Sequence, residues 1–212
     1  MVALQARNLV DEFTAMKQRS DNSKRVENGF TRHSIIGRHC TPGSSILAMR
    51  AALQSPLPVT VESTSTFALA TSGSTHPLAG GGVAIIAGYP RFRDSELTGV
   101  ALAQGNGAAL ARGYEQYAEG IFTRLLGSFC CAVIDTAADR VLLGIDRLRQ
   151  HSMYYHASDG ALAFGSFASG ALVSSEDEPQ LLEQGVYNYV YFHMVPSPGT
   201  VYRDLHKLPA AH

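Results

Sequence analysis

His33, His39 and Cys40 are the densest grouping of metal-type ligands in the chain. Two imidazoles and a thiol could begin a site for a soft divalent ion, but a closed site needs a further Cys or His pair at ligand spacing. None follows, so no metal is expected, and Arg32, Arg38 and His39 read as a solvated edge. Gly80-Gly81-Gly82 has the flexibility to wrap a phosphate. It lacks a Gly-Lys-Ser/Thr ending and precedes a strand pattern, so it reads as a turn. His151, His156, His193 and His206 are scattered and make no triad. Cys130 and Cys131 are adjacent, between Phe129 and Ala132-Val133-Ile134. They read as buried strand thiols rather than reactive groups or a disulfide framework.

One domain of ordinary size must position these groups. With 212 residues the chain can bury a substantial core. Its 45% hydrophobic and 17% charged residues place it among globular proteins. A net charge of −1 offers no footprint for nucleic acid or anionic lipid. No apolar run approaches the roughly 18 residues that span a bilayer, and Asp11 and Glu12 interrupt any signal-peptide core. A cytoplasmic protein without nucleic-acid or membrane partners is expected.

Along the chain, residues 1–30 stand apart as an extension, helical in part through Leu9, Val10, Phe13 and Met16, and followed by a polar linker over residues 20–27. The main domain is expected over residues 31–212. Its first strand is Ser34-Ile35-Ile36-Gly37, followed by a helix capped at Ser44 or Ser45 and running through Leu53. Residues 59–70 and 83–87 suit strands. The spacing of Leu110, Tyr114, Tyr117, Ile121, Phe122 and Leu125 predicts a helix over residues 108–126 that Gly127 stops. Strand pairs follow over residues 128–146 and 152–166. A last helix is predicted over residues 179–192, with Leu181, Leu182, Val186, Tyr189 and Val190 as its apolar face. Hairpins with a few helices make an α+β fold with antiparallel sheets.

An ordered series of phrases runs through the second half: Tyr114-Glu115-Gln116-Tyr117, Leu125-Leu126-Gly127-Ser128-Phe129, Ile145-Asp146-Arg147, Met153-Tyr154-Tyr155, and the proline-rich turn from Pro196 to Tyr202. In order and spacing it resembles the class II glutamine amidotransferase domain of asparagine synthetases, over roughly residues 33–212. The resemblance implies a four-layer αββα sandwich of two antiparallel sheets, the N-terminal-nucleophile hydrolase fold. The phrases themselves read as scaffold: Asp146 and Arg147 are expected to fix a loop by ionic hydrogen bonds.

The chemistry of that family lies earlier, where this chain departs. The resemblance implies a cysteine as the first residue of the mature chain, whose thiolate attacks the glutamine amide while its own α-amine acts as base. The chain opens Met1-Val2-Ala3, and the matching position is His33, so no catalytic residue is assigned. An Asn-Gly oxyanion pair is implied where Ala87-Gly88 stands; Gly88 keeps an amide and Ala87 has no side-chain donor. An Asp for the substrate amine is implied at Asn106, and an arginine for its carboxylate near Ser72. Gly88 and Asn106 are the remnants of a substrate site.

The expected function is therefore that of a degenerate amidotransferase domain of an asparagine synthase-like, ATP-dependent amide ligase, itself without glutaminase activity. Relatives without the cysteine resemble the β-lactam synthetases and lasso-peptide cyclases, which use an internal amine in place of ammonia. The chain carries no cofactor of its own; ATP and magnesium are implied for a ligase domain that is its expected partner, in the same or a neighbouring chain. Leu208-Pro209-Ala210-Ala211-His212 resembles the phrase just before that domain, so the chain is expected to be a truncated piece or a split subunit. The helix over residues 179–192, dense in aromatics, is expected to pack on the ligase and, in the isolated chain, to dimerise or aggregate through the same surface; the alternative is that its rings all fit within the domain. A free-standing pseudoenzyme that serves as a binding or scaffold domain is the other reading.

Overall fold

A computed structural model describes residues 34–39, 46–53, 57–158, 161–175 and 178–210. Arg32–His212 form one unit of the chain, and every described residue belongs to it. The expected extension over residues 1–30, His33, Cys40 and the helix cap at Ser44 or Ser45 lie outside the described residues.

In chain order the elements are β1 (Ile35–His39), α1 (Ile46–Leu53), β2 (Thr60–Ser63), β3 (Phe67–Thr71), β4 (Ser74–Pro77), β5 (Gly82–Phe92), α2 (Ser95–Gln104) and α3 (Asn106–Tyr117). A 3₁₀ segment (Ala118–Arg124) leads into β6 (Leu125–Asp135), β7 (Arg140–Ile145), β8 (Tyr154–Ser158), β9 (Ala161–Gly165), α4 (Ala168–Ser174), α5 (Glu183–Phe192) and β10 (Leu205–Lys207). All strand pairs are antiparallel. One sheet has the order β10-β8-β9-β1-β3-β2 and the other β4-β5-β6-β7.

The two-residue period of a strand builds four layers. Val83, Ile85 and Ala87 of β5 and Cys130, Ala132 and Ile134 of β6 pack against Ile35, Phe67, Leu69 and Phe164 of the six-stranded sheet. The alternate residues Ala84, Ile86, Cys131 and Val133 face α2 and α3, through Leu97, Ala109 and Leu110. In the other sheet, Ile36, Ala68 and Ala70 turn outward against α1 and Val173 of α4. Antiparallel sheets often leave one face in water. Here both faces of each are covered, which is why β3, β5 and β6 read as apolar runs instead of alternating patterns. Fully burying side chains such as Ile85, Ile86 and Ile134 stabilises by about 1.5–3 kcal/mol each. The α+β, αββα sandwich is the fold expected.

Several local expectations change. The helix over residues 108–126 ends at Tyr117, where Ala118 takes φ 48°. Leu125 already pairs with Phe92 in β6, and Gly127 (φ 91°) pairs with Pro90 inside the strand instead of stopping a helix. Burying Leu125 beside Phe92 in the helix-side core outweighs the helical spacing of its sequence. Residues 59–70 contain a hairpin: the Thr64 hydroxyl accepts from the amides of Thr66 and Phe67 at 3.2 and 3.1 Å. Two helices carry no expectation. Of these, α2 has a legible cap, Asp94, whose Oδ1 accepts from the amides of Glu96 and Leu97. The last helix starts at Glu183, because Leu181 is bridged to Tyr202. It docks through Gly185, where a Cβ would lie 2.5 Å from the carbonyl oxygen of Thr200. That close approach sets the buried face, so Tyr189 and Val190 are exposed rather than core.

Arg38 is also not on a solvated edge. It is 8% exposed in β1, opposite Ala68 on one side and Ala163 on the other. β1 is an interior strand, and the two alanines leave room for the guanidinium. Among the described residues no helix is long and apolar enough to cross a membrane.

Candidate active site

The start of β1 is tied into its surroundings by hydroxyl groups. The amide of Ser34 donates to Ser72 Oγ at 2.8 Å, and the carbonyl of Ser34 accepts from Thr71 Oγ1 at 2.8 Å and from the Ser72 amide at 3.0 Å. On the other flank, Ile35 donates to Ser166 Oγ at 3.1 Å, and the Ser166 amide returns a bond to the Ile35 carbonyl at 2.8 Å. β3 and β9 thus clamp β1 at its N-terminal end. Ser72 is 8% exposed. Its oxygen is used as an acceptor for the main chain.

Just past Ser72 the chain crosses to the other sheet. A Cβ on Gly73 would sit 2.7 Å from the Ile86 carbonyl oxygen and 3.1 Å from the Ala87 Cβ. That contact brings Ala87 and Gly88 beside the turn that holds Ser34. Gly88 has φ 103°, and a Cβ there would lie 2.5 Å from the Ser128 carbonyl oxygen and 2.7 Å from His151 Nε2. Only glycine fits such a backbone. The imidazole of His151 therefore borders Gly88, a placement the scattered histidines do not disclose in sequence.

Asp146 sets that placement. The carboxylate is 1% exposed and accepts from the amides of Leu148 (3.1 Å), Gln150 (3.0 Å) and His151 (3.0 Å). Asp146 thus fixes the loop by hydrogen bonds to its carboxylate, as expected, whereas Arg147 is exposed and takes no part, a correction to its expected share.

Asn106 is the first residue of α3, half-buried, after Gly105 with φ 93°. The next amide, that of Gly107, donates to Ser74 Oγ at 2.9 Å, and a Cβ on Gly107 would meet the Thr75 backbone at 2.7 Å. The start of α3 is therefore pinned to β4, two residues beyond Ser72. Ala87 thus lies beside Gly73, and the start of α3 beside Ser74.

The remaining candidates have structural roles. Cys130 and Cys131 are fully buried and free; burial pushes the Cys130 thiol up to about 12 and the Cys131 thiol well above its ordinary range. Tyr114 donates to Asp135 at 2.7 Å and Tyr117 to Asp94 at 2.8 Å, while Glu115 accepts from the Ala79 amide at 3.1 Å. These bonds attach α3 to the neighbouring loops. Tyr154 and Tyr155 are both half-buried, Tyr155 tilted against His206 at 5.5 Å. Among the described residues no group of three or more His, Cys, Asp or Glu could hold a metal ion.

A sequence model of the glutamine amidotransferase domain matches residues 98–212, from within α2 to beyond β10. No curated protein matches the chain.

Proposed function

The chain belongs to the glutamine amidotransferase domain family, and from that premise we propose that it is a degenerate member, without glutaminase activity, serving an asparagine synthase-like, ATP-dependent amide ligase. The observation that carries this reading is the pair Ala87-Gly88 within β5, beside the turn between β3 and β4. Gly88 can present a backbone amide to a developing oxyanion, but the methyl group of Ala87 cannot add the second donor. Loss of one such donor typically costs on the order of a hundredfold in rate.

Three neighbouring positions support it. No cysteine stands immediately before β1, where the residues are Thr31-Arg32-His33-Ser34. Hydrolysis through a thiolate has no nucleophile there, wherever the chain is taken to begin. Ser72 is neutral and already accepts from Ser34, and Asn106 carries no charge. Neither supplies the ionic partner that an amino acid's carboxylate or ammonium needs. The hydrogen bonds of the scaffold are intact while the groups that would bind and cut glutamine are not.

The partner in this reading is a ligase domain, which would bind ATP and magnesium and activate a carboxylate for amide formation. The exposed side chains of α5 and its end support a partner, since Tyr187, Val190, Tyr191 and Phe192 of the helix and Met194 just after it are each more than half exposed. Apolar surface of this kind marks interfaces. The free thiols of Cys130 and Cys131 fit a reducing cytoplasm.

Ammonia release from glutamine tests the first half. Purified chain and its Ala87→Asn variant should both stay at the level of a heat-denatured control, because the variant restores a donor but no nucleophile. Release above that level by the unaltered chain sinks the proposal. Co-purification with a synthetase domain from the flanking coding sequence tests the second half; a monomer that ignores such a domain leaves the free-standing scaffold as the better reading.

A further inference from the structure

The cross-strand ladder that centres on β5 and β6 is only half flanked. β4 pairs with β5 over residues 83–86, and β7 pairs with β6 over residues 130–135. Yet β5 and β6 pair with each other to the end, through Phe92 and Leu125. On the β7 side, the Phe129 carbonyl accepts from the Asp146 amide at 3.0 Å, and the chain then turns away into the loop held by the Asp146 carboxylate. Residues 125–128 of β6 have no strand neighbour on that side among the described residues. Alternate residues of a strand direct their amides and carbonyls to the same edge, so this edge offers unpaired backbone groups.

A cleft of about 820 Å³ opens along that edge, between β6 and the loop after β7. Its walls include Phe122, Leu126 and Leu148, the last 77% exposed. Arg91, Arg93 and Arg147 stand around it, and no acidic residue lines it. Arg91, at the end of β5, and Arg93, just beyond it, are both exposed on either side of buried Phe92. None of the three arginine side chains makes an ion pair or hydrogen bond with a described residue. In a chain of net charge −1 this is a local concentration of positive charge. It sits beside a sheet edge and apolar side chains.

We infer that this cleft binds an extended acidic peptide segment with interspersed apolar residues, which adds a strand to the free edge of β6. Main-chain bonds to the edge supply register, and the arginines read carboxylates on one side of the added strand. Apolar side chains of the peptide settle on Leu126, Leu148 and Phe122. A small carboxylate could use the arginines but would leave the strand edge unpaired, so the open edge favours a peptide. The cleft reaches Ser128 and Phe129, which flank Gly88 across the ladder, but its occupation does not depend on glutamine chemistry.

The test is fluorescence anisotropy with the full chain and a short fluorescein-labelled peptide alternating glutamate and valine. Binding should saturate, weaken as salt is raised, and weaken about tenfold or more when Arg91→Glu and Arg147→Glu are combined. A lysine–valine peptide should not bind. Circular dichroism checks that the double variant folds; if it does not, Arg93→Glu alone should weaken binding in its place. Three results overturn the inference: binding indifferent to these charge reversals, equal binding by a glutamate–valine peptide N-methylated at alternate residues so that it cannot pair as a strand, or displacement by an equal concentration of succinate.

Discussion

The backbone amide of Ser34 is held by the hydroxyl of Ser72 at 2.8 Å, so the residue just before β1 is anchored by the residue just after β3. A serine at this place performs a structural task. Ser72→Ala leaves a half-buried amide without its acceptor and should destabilise the fold by about 1–2 kcal/mol. Urea unfolding followed by circular dichroism measures this; an unchanged midpoint would mean that water replaces the hydroxyl without loss.

Gly88→Ala should cost more, about 3 kcal/mol, because it combines a positive φ with a Cβ pressed on the Ser128 carbonyl and on His151. Gly99, which has nothing within 4 Å of an added Cβ, is the control. Alanine there should leave stability unchanged or raise it slightly, by helix propensity. Equal midpoints for the two variants would contradict the close packing around Gly88.

The bond between Tyr117 and Asp94 should make stability sensitive at both ends of the pH scale. The Tyr117 hydroxyl, with the amide of Glu96, holds the Asp94 carboxyl below its ordinary 3.8. This contribution is complete above pH 3.8 and fades as pH falls through the depressed value. The same bond raises the Tyr117 hydroxyl above its ordinary 10.0. That contribution is complete below pH 10.0 and fades as pH rises through the raised value. The gap in urea midpoint between the parent chain and Tyr117→Phe should therefore be flat at intermediate pH and close at both extremes. A gap that persists below the acid range would assign the effect to packing.

The aromatic surface of α5 should drive association. Tyr187 and Tyr191 stack at 5.9 Å and Phe192 meets Tyr191 edge-on at 4.8 Å, so the rings form a continuous exposed patch. Sedimentation of the isolated chain should show self-association that Tyr191→Ser combined with Phe192→Ser relieves. Strictly monomeric behaviour at high concentration would count against an interface on this helix.

Cys130 and Cys131 should resist alkylation in the native protein near neutral pH. Their thiols are inaccessible and, with pKa raised by burial, almost wholly protonated. Mass spectrometry after iodoacetamide should find both unmodified until guanidinium unfolds the chain, when both react. Rapid labelling of either in native buffer would show that β6 opens locally.

Sequence alone carried the α+β class, the strand pairs over residues 128–146 and 152–166, and the burial of the two cysteines. Those features rest on local signals: two-residue alternation, turn residues such as Asp159-Gly160, and apolar flanks around the thiols. The order of the scaffold phrases marked Ala87-Gly88, which falls within β5, and Asn106, which opens α3. Features set by distant contacts were not legible. Leu125 and Leu126 continue a helical spacing, yet they belong to β6 because Phe92 waits across the ladder. Arg38 carries a charge that reads as solvated, yet β1 is flanked by strands on both sides and alanines make room for it. The buried face of α5 follows from one glycine meeting the Thr200 carbonyl, a contact without periodicity. His151 reaches Gly88 only because Asp146 folds its loop back through three amides. Local propensity specifies an element where neighbours in sequence supply its partners; where the partner lies tens of residues away, tertiary packing decides both the element and the direction its side chains take.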